Sequence, residues 1–175
     1  MSGAALTPQV GERDHAAGPV DAPVTLVEYG DYECPYSRQG YRAIERVEGQ
    51  LDAGIRFAFR HFPLSEIHPH ALAASRAAEA AALQGRFWEM HELLFRRQKA
   101  LEDGDLQRYA AQFDLGVPRF DRDRFSTDVL ARIRRDVESG MASGEVRGTP
   151  TLFIDGVVHL GGFDAATLTE TVSRR

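Results

Sequence analysis

The 175-residue chain is long enough for one domain with its own core, and its 43% hydrophobic and 27% charged residues exclude a disordered or fibrous protein. A net charge of −5 gives no electrostatic reason to expect nucleic acid or an anionic membrane as a partner. Residues 1–23 lack the apolar core of a signal peptide, and no later stretch is long enough to span a bilayer, so we expect a cytoplasmic protein.

The first half of the chain predicts a strand, a helix and a second strand. Residues 1–23 have weak periodicity and several Gly and Pro, so they predict an arm or loop that leads into the first strand. The β-branched run at 24–29 and the alternating residues 55–62 predict strands, and the apolar stripe over 36–51 predicts a helix between them. This order indicates a βαβ unit with a parallel pair of strands.

The second half predicts a helical insertion followed by a hairpin and a last helix. The helical stretches are residues 71–83, which are rich in alanine, 87–97, 106–113 and 120–140. Residues 151–154 and 157–160 predict two strands that are joined by a turn at Asp155-Gly156. A short helix is predicted after Phe163. No second domain boundary is needed.

Cys34 is the only cysteine, and it lies between the first predicted strand and the predicted helix. The unpaired N–H groups and positive dipole at a helix N-terminus favour the thiolate, which is the nucleophilic form of cysteine. The alternative is a structural thiol, because free cysteine is among the most buried residue types. We prefer a reactive thiol because of its place at the helix start. A lone cysteine excludes an internal disulfide and a cysteine-based zinc cage.

Four short motifs follow one another along the chain: Glu28-Tyr29-Gly30-Asp31-Tyr32-Glu33, Cys34-Pro35-Tyr36-Ser37, Arg60-His61-Phe62-Pro63-Leu64 and Gly148-Thr149-Pro150-Thr151. Together with the order of the predicted elements, they resemble the DsbA-like branch of the thioredoxin superfamily. The resemblance implies a single α/β domain with a thioredoxin-like core over about residues 20–63 and 144–175 and a helical insertion over about 64–143. The chain departs from the family at Ser37, where the family usually carries its resolving cysteine.

The resemblance also implies a substrate site around the thiol. Pro150 takes the place of the family's cis-proline beside the nucleophile, which leaves the backbone of Thr149 free to pair with an extended substrate segment. Pro35 and Tyr36, the two residues after Cys34, are expected to be further substrate-binding residues. The alternative for Pro150 is an ordinary trans proline at the start of a strand.

Glu28 and Ser37 are predicted to assist the thiol. Glu28 matches the family's acid below the active site, where a partly desolvated carboxylate relays protons to or from the thiol. If the strand turns it outward, it is only a solvated charge. Ser37 lies one turn into the helix, where its hydroxyl is expected to donate to the Cys34 sulfur. Two alternatives stay open for Ser37: a silent replacement, or a substitution introduced to trap a mixed disulfide.

A metal site is the less favoured interpretation of the histidines. His61, His68 and His70, with Cys34 as a fourth ligand, offer donors that zinc accepts. Their spacing matches no recognised finger, and loop or helix-start positions explain them better, so we predict no metal. The glycines show no dinucleotide fingerprint, so we predict no cofactor.

The leading functional hypothesis is a thiol–disulfide oxidoreductase, similar to an isomerase, that works through Cys34 and mixed disulfides. Its expected substrates are disulfide-containing or glutathionylated proteins. Since the chain has no second cysteine, glutathione or another low-molecular-weight thiol must resolve the mixed disulfide. The competing hypothesis is a redox-inactive binding module that keeps the groove around Pro150.

Overall fold

A computed structural model describes residues 5–51 and 54–175 of the chain. Its strands are β1 (His15–Ala17), β2 (Thr25–Gly30), β3 (Arg56–His61), β4 (Thr151–Ile154) and β5 (Val157–His159). They form one mixed sheet in the order β1-β3-β2-β4-β5. The parallel pairing of β2 with β3 confirms the predicted βαβ unit, and β4 and β5 form the predicted hairpin.

Helices cover both faces of this sheet. Helix α1 (Pro35–Gln50) joins β2 to β3 and packs against the last helix, α7 (Ala165–Ser173). The helical insertion lies between β3 and β4, and its members are α2 (Ala71–Ala82), α3 (Phe87–Arg96), α4 (Asp103–Gln112), α5 (Val117–Arg124) and α6 (Thr127–Ser143). Helix α2 contacts each of the other four, and α6 also lies against β3.

Strand β2 is buried on both faces, which explains its nearly continuous apolar sequence. Side chains alternate along a strand, so Leu26 and Glu28 share one face while Val27 and Tyr29 share the other. Leu26 packs in the larger core, which includes α1 and the insertion, and Val27 and Tyr29 pack in a smaller core on the opposite face. Glu28 is therefore directed toward the α1 side of the sheet.

The alanines of α2 let its neighbours approach closely. Six of them are fully buried: Ala71, Ala74, Ala77, Ala78, Ala80 and Ala81. Small side chains allow the surrounding helices to pack around α2 at the density of a protein interior. The alanine-rich stretch is thus the centre of the insertion.

The prediction of an arm or loop before residue 24 is wrong in one part. Residues His15–Ala17 form β1, which pairs antiparallel with β3 at the edge of the sheet. The sheet therefore begins before the core boundary that was predicted near residue 20. Three residues are too few for a periodic pattern, and their pairing partner lies about 40 residues later, so local sequence carries no signal for this strand.

The single helix predicted over residues 120–140 is two helices. Helix α5 ends at Arg124, and α6 begins after Ser126, whose hydroxyl accepts a hydrogen bond from the Val129 backbone N–H at 3.2 Å. This N-cap satisfies a donor that the start of a helix leaves unpaired. The apolar spacing continues across the break, which is why periodicity alone missed it.

Candidate active site

Cys34 occupies the N-cap of α1, immediately after the turn that ends β2. Its backbone N–H donates to the Asp31 carbonyl at 3.1 Å, and its own carbonyl accepts from the Arg38 N–H at 3.1 Å, the first hydrogen bond of the helix. Pro35 follows at the first helical position, where its missing N–H costs nothing. The sulfur therefore lies at the positive end of α1, as the sequence predicts.

The thiol faces the segment that leads into β4. The Sγ of Cys34 donates to the Thr149 carbonyl at 3.4 Å, and the Thr149–Pro150 peptide bond is cis. Only 3% of Cys34 is exposed, whereas Pro35 and Tyr36 beside it are exposed. The structure thus brings together the four residues predicted for substrate binding and places them around a shielded sulfur.

Glu28 lies beneath this site, inside the protein. It is fully buried, and neither of its carboxylate oxygens has a hydrogen-bond partner among the described residues. Burial raises the pKa of the Glu28 carboxyl from its ordinary value of 4.5 to about 8. The outward, solvated alternative for Glu28 is therefore wrong, and its carboxyl exchanges a proton near neutral pH.

Gly40 on α1 allows this close packing. A Cβ at residue 40 would lie 3.3 Å from Cγ of Pro150 and 3.7 Å from Oε1 of Glu28. The missing side chain therefore lets the helix lie this close to Pro150, whereas the distance to Glu28 is an ordinary van der Waals contact. Sequence reasoning missed Gly40, since a glycine inside a helical pattern carries no sign of what lies opposite.

Ser37 does not make the bond predicted for it. Its buried hydroxyl accepts a hydrogen bond from the Asp31 backbone N–H at 3.1 Å, and no bond between Ser37 and the Cys34 sulfur occurs in the described part of the chain. Helical side chains lean toward the helix N-terminus, which carries this hydroxyl back to the turn after β2. Ser37 therefore holds the active-site turn, and the prediction of a hydroxyl-to-sulfur bond is wrong.

Asp31 organises the same turn, and no role for it was evident from the sequence. Its carboxylate accepts from the backbone N–H groups of Glu33, at 2.8 Å, and Leu64, at 2.9 Å, and lies 2.8 Å from Nδ1 of His68. Asp31 is fully buried, so these bonds replace the water it lost. A carboxylate directly after a buried strand was the signal that could have identified it.

Gln98, from the connection between α3 and α4, fixes the turn from the other side. Its Nε2 donates to the carbonyls of Tyr32 and Cys34, each at 2.8 Å. Beside it, a cleft of about 410 Å³ separates the turn from the insertion and is lined in part by Glu33, Pro35 and His70. The insertion therefore borders the thiol site directly.

The three histidines considered as metal ligands lie apart. His68 pairs with Asp31, His70 lies 2.9 Å from the Glu33 carboxylate, and His61 lies 2.7 Å from Glu79. His70 takes the N-cap position of α2, which agrees with the helix-start interpretation. The structure does not bring these residues together with Cys34.

Within residues 5–51 and 54–175, none of the helices combines the length and the apolar character that crossing a bilayer requires.

Comparison with known proteins places the chain in a family. A family model described as thioredoxin matches residues 11–174. A thioredoxin-like oxidoreductase from Silicibacter pomeroyi DSS-3 superposes with a TM-score of 0.82 at 25% identity, over 94% of this chain and 92% of that one. The alpha-DsbA1 protein of Wolbachia pipientis gives a TM-score of 0.79 at 20% identity, over 94% and 92%.

Curated relatives share more sequence but are much longer proteins. The Na(+)/H(+) antiporter NhaA 1 of Mycolicibacterium vanbaalenii is 45% identical over 165 residues, which are 93% of this chain and 27% of the antiporter. The chain therefore spans about a quarter of the length of the curated relatives it matches.

The chain belongs to the thioredoxin family, with the DsbA-like fold in which a helical insertion interrupts the thioredoxin core.

Proposed function

We propose that this chain is a thiol–disulfide oxidoreductase in which Cys34 is the only nucleophile and an external thiol completes each cycle. The observation that carries the proposal is the position of a lone cysteine at the N-cap of α1, facing Thr149–Pro150. A helix N-terminus is a position that favours a thiolate over a thiol, and a purely structural cysteine gains nothing from this position.

The first step forms a mixed disulfide. The Cys34 thiolate attacks one sulfur of a substrate disulfide, a new S–S bond forms to Cys34, and the other substrate sulfur leaves as a thiolate that takes up a proton. The Thr149 carbonyl, which accepts from the resting thiol, must release that bond as the sulfur ionises. No net oxidation occurs in this exchange.

The second step needs a thiol from outside the chain. Residue 37 is serine, so the 175 residues contain no sulfur that can attack the mixed disulfide. Glutathione or another low-molecular-weight thiol attacks the Cys34 disulfide, frees Cys34 and leaves as the new disulfide. With a glutathionylated protein as substrate, the products are the free protein thiol and glutathione disulfide, so atoms and electrons balance.

Glu28 serves as the proton relay in this proposal. Its carboxyl, with a pKa of about 8, is protonated in most molecules at neutral pH and can still give up its proton there. Its carboxylate oxygens have no hydrogen-bond partner among the described residues, so proton transfer to the thiol passes through an intervening group or water rather than by direct contact.

Substrates would bind across the exposed edge of the site. The backbone of Thr149 is the partner for an extended segment, and Pro35 and Tyr36 provide apolar contact. Tyr36 is 61% exposed, and its ring lies 6.4 Å from that of Phe163, which extends this apolar surface. Disulfide-containing or glutathionylated proteins are therefore the proposed partners.

The proposal concerns thiol chemistry alone. The antiporter name of the curated relatives describes proteins about four times as long as the matched region, so it assigns no ion transport to this chain. A cytoplasmic location stays a prediction from the sequence, and glutathione as the resolving thiol depends on it.

The test is turnover of a glutathionylated peptide in the presence of glutathione. The unmodified protein should accelerate release of the peptide thiol, whereas Cys34→Ala and Cys34→Ser should match the uncatalysed rate. If the unmodified protein is no faster than Cys34→Ala, the proposed catalysis is wrong. Binding of the peptide by both proteins without turnover by either would favour the redox-inactive binding module.

A further inference from the structure

A second group of chemically capable side chains lies at the edge of the sheet. Nε2 of His15 and Nε2 of His61 each lie 2.7 Å from the same oxygen, Oε1 of Glu79. The three donor atoms all lie within 4.8 Å of one another. His15 comes from β1, His61 from the end of β3 and Glu79 from α2, so three separate elements converge on this point.

We propose that His15, His61 and Glu79 form a binding site for a divalent transition-metal ion, and Zn²⁺ is the ion we expect. Imidazole nitrogen and carboxylate oxygen are ligands that zinc accepts, and two His with one Glu leave a coordination position open for water. This donor set suits Mg²⁺ poorly, because Mg²⁺ requires oxygen ligands.

The donor atoms are close to the spacing that such an ion needs. Bonds of about 2.0–2.1 Å in a tetrahedral site place neighbouring donors about 3.3–3.5 Å apart. The hydrogen bonds of 2.7 Å must therefore open by less than about 1 Å. A small rotation of His15, on a short edge strand, provides this movement.

The surroundings hold the ligands in place and leave one way in. His61 is fully buried and Glu79 is 5% exposed, while the side chain of His15 is 19% exposed and gives access from solvent. The ring of His15 stacks on Phe87, with centroids 3.6 Å apart, and the ring of Phe59 stands edge-on to His61 at 5.4 Å. These aromatic contacts restrict both imidazoles to orientations close to the present ones.

Proton balance limits the affinity of this site. Each histidine now donates its Nε2 proton to Glu79, so metal binding requires that proton to move to Nδ1 or to leave. Nδ1 of His61 is buried and has no hydrogen-bond partner in the described part of the chain. A proton there stays unpaired, which weakens binding by about 10- to 100-fold relative to a site with that partner.

The proposed metal site is separate from the thiol site. None of the hydrogen-bond partners found for Cys34, which are Thr149, Asp31, Arg38 and Gln98, belongs to it. The inference therefore does not depend on the proposed function. A bound ion would join β1, β3 and α2, and so would tie the N-terminal strand to the insertion.

The test is calorimetric titration of Zn²⁺ into metal-free protein that carries Cys34→Ala, so that the thiol cannot bind the ion. We expect one Zn²⁺ per chain, no binding of Mg²⁺, and at least a tenfold loss of affinity in His15→Ala. The matched control is His159→Ala, because His159 is directed to the Gly162 carbonyl elsewhere on the surface and should not affect binding.

Absence of Zn²⁺ binding, or equal affinity in His15→Ala, would overturn the proposal. If His15→Ala fails to fold, X-ray absorption of the Zn²⁺ form of the Cys34→Ala protein decides the question with the three ligands intact. Scattering from two imidazoles supports the site, and a spectrum with one imidazole or none contradicts it.

Discussion

Cys34 bonds through its sulfur to a backbone carbonyl rather than to a neighbouring side chain. Its sulfur donates to the Thr149 carbonyl, and its backbone is fixed by Asp31, Arg38 and Gln98. Only 3% of Cys34 is exposed, so in the proposed exchange a substrate disulfide has to come close to the turn before it can reach the sulfur. No base contacts the thiol among the described residues, so in the proposed exchange access to the sulfur is what limits the reaction.

Glu28 should make the stability of the protein fall as pH rises. Its pKa is about 8 when folded and near 4.5 when unfolded, so above about pH 4.5 the unfolded chain releases a proton that the folded protein keeps until about pH 8. The loss across this window reaches at most about 5 kcal/mol, at about 1.4 kcal/mol per pKa unit.

The measurement compares urea unfolding of the unmodified protein and Glu28→Gln at several pH values. The unmodified protein should lose stability relative to Glu28→Gln between pH 5 and pH 8. A constant difference between the two proteins across this range would show that Glu28 does not titrate as described.

Ser37→Ala should destabilise the protein by about 1–2 kcal/mol, because it leaves the buried Asp31 N–H without an acceptor. The free energy of unfolding measures this effect. Ser126→Ala, which removes the N-cap of α6 far from the thiol, is a useful comparison with a loss of about 1 kcal/mol. An unchanged stability in Ser37→Ala would mean that Ser37 does not hold the turn.

At the scale of residues, local sequence identified the groups that lie in recognisable motifs. Cys34, Glu28 and Thr149–Pro150 lie together in the structure as the resemblance implied. Asp31 and Gln98 were missed because their roles arise from hydrogen bonds to backbone groups that distant parts of the chain supply. Such bonds leave no pattern in the sequence around either residue.

At the scale of elements, the long periodic segments were predictable and the short or locally capped ones were not. Strand β2 and helices α1 and α2 follow from apolar spacing, and Asp155-Gly156 forms the predicted turn with positive φ at both residues. Strand β1 exists because β3 offers it a free edge, and the break before α6 depends on one serine. Pairing with β3 decides the first case and a single N-cap residue decides the second. Neither cause produces a periodic pattern in the sequence.

Two helix glycines should respond in opposite directions to alanine. A Cβ at Gly140 in α6 would lie 3.1 Å from the buried rings of Phe62 and Tyr29, so Gly140→Ala should lower the melting temperature. A Cβ at Gly49 in α1 meets nothing within 4 Å, so Gly49→Ala should stabilise by up to about 1 kcal/mol. Thermal unfolding of both variants measures this. A higher melting temperature in Gly140→Ala would contradict the close packing at α6, and a lower one in Gly49→Ala would contradict the open space at α1.

At the scale of the whole molecule, core and insertion meet at the thiol. Asp31, directly after β2, accepts a hydrogen bond from the Leu64 N–H and pairs with His68 at the start of the insertion. Gln98, in the connection between α3 and α4, donates to the Cys34 carbonyl. The active-site turn is therefore held by both parts of the fold. The missing second thiol is a property of the whole chain, because no other cysteine exists to replace it.

Ser37→Cys should remove the need for an external thiol. Residues 34 and 37 lie one turn apart at the start of α1, so the new thiol can attack a mixed disulfide on Cys34. After treatment with glutathione disulfide, intact mass should show an internal disulfide in Ser37→Cys and a retained glutathione adduct in Ser37→Ala. A retained adduct in both variants would show that the turn does not bring position 37 to the sulfur.

The central claim is that Cys34 of the folded protein attacks disulfides, and trapping the mixed disulfide tests it most directly. The protein is mixed with a glutathionylated peptide without any other thiol, and intact mass is recorded over time. We predict one adduct on Cys34 that disappears when glutathione is added, formed faster than on the same chain unfolded in urea. An adduct that forms only on the unfolded chain would contradict the account, because Cys34 would then be a buried structural thiol.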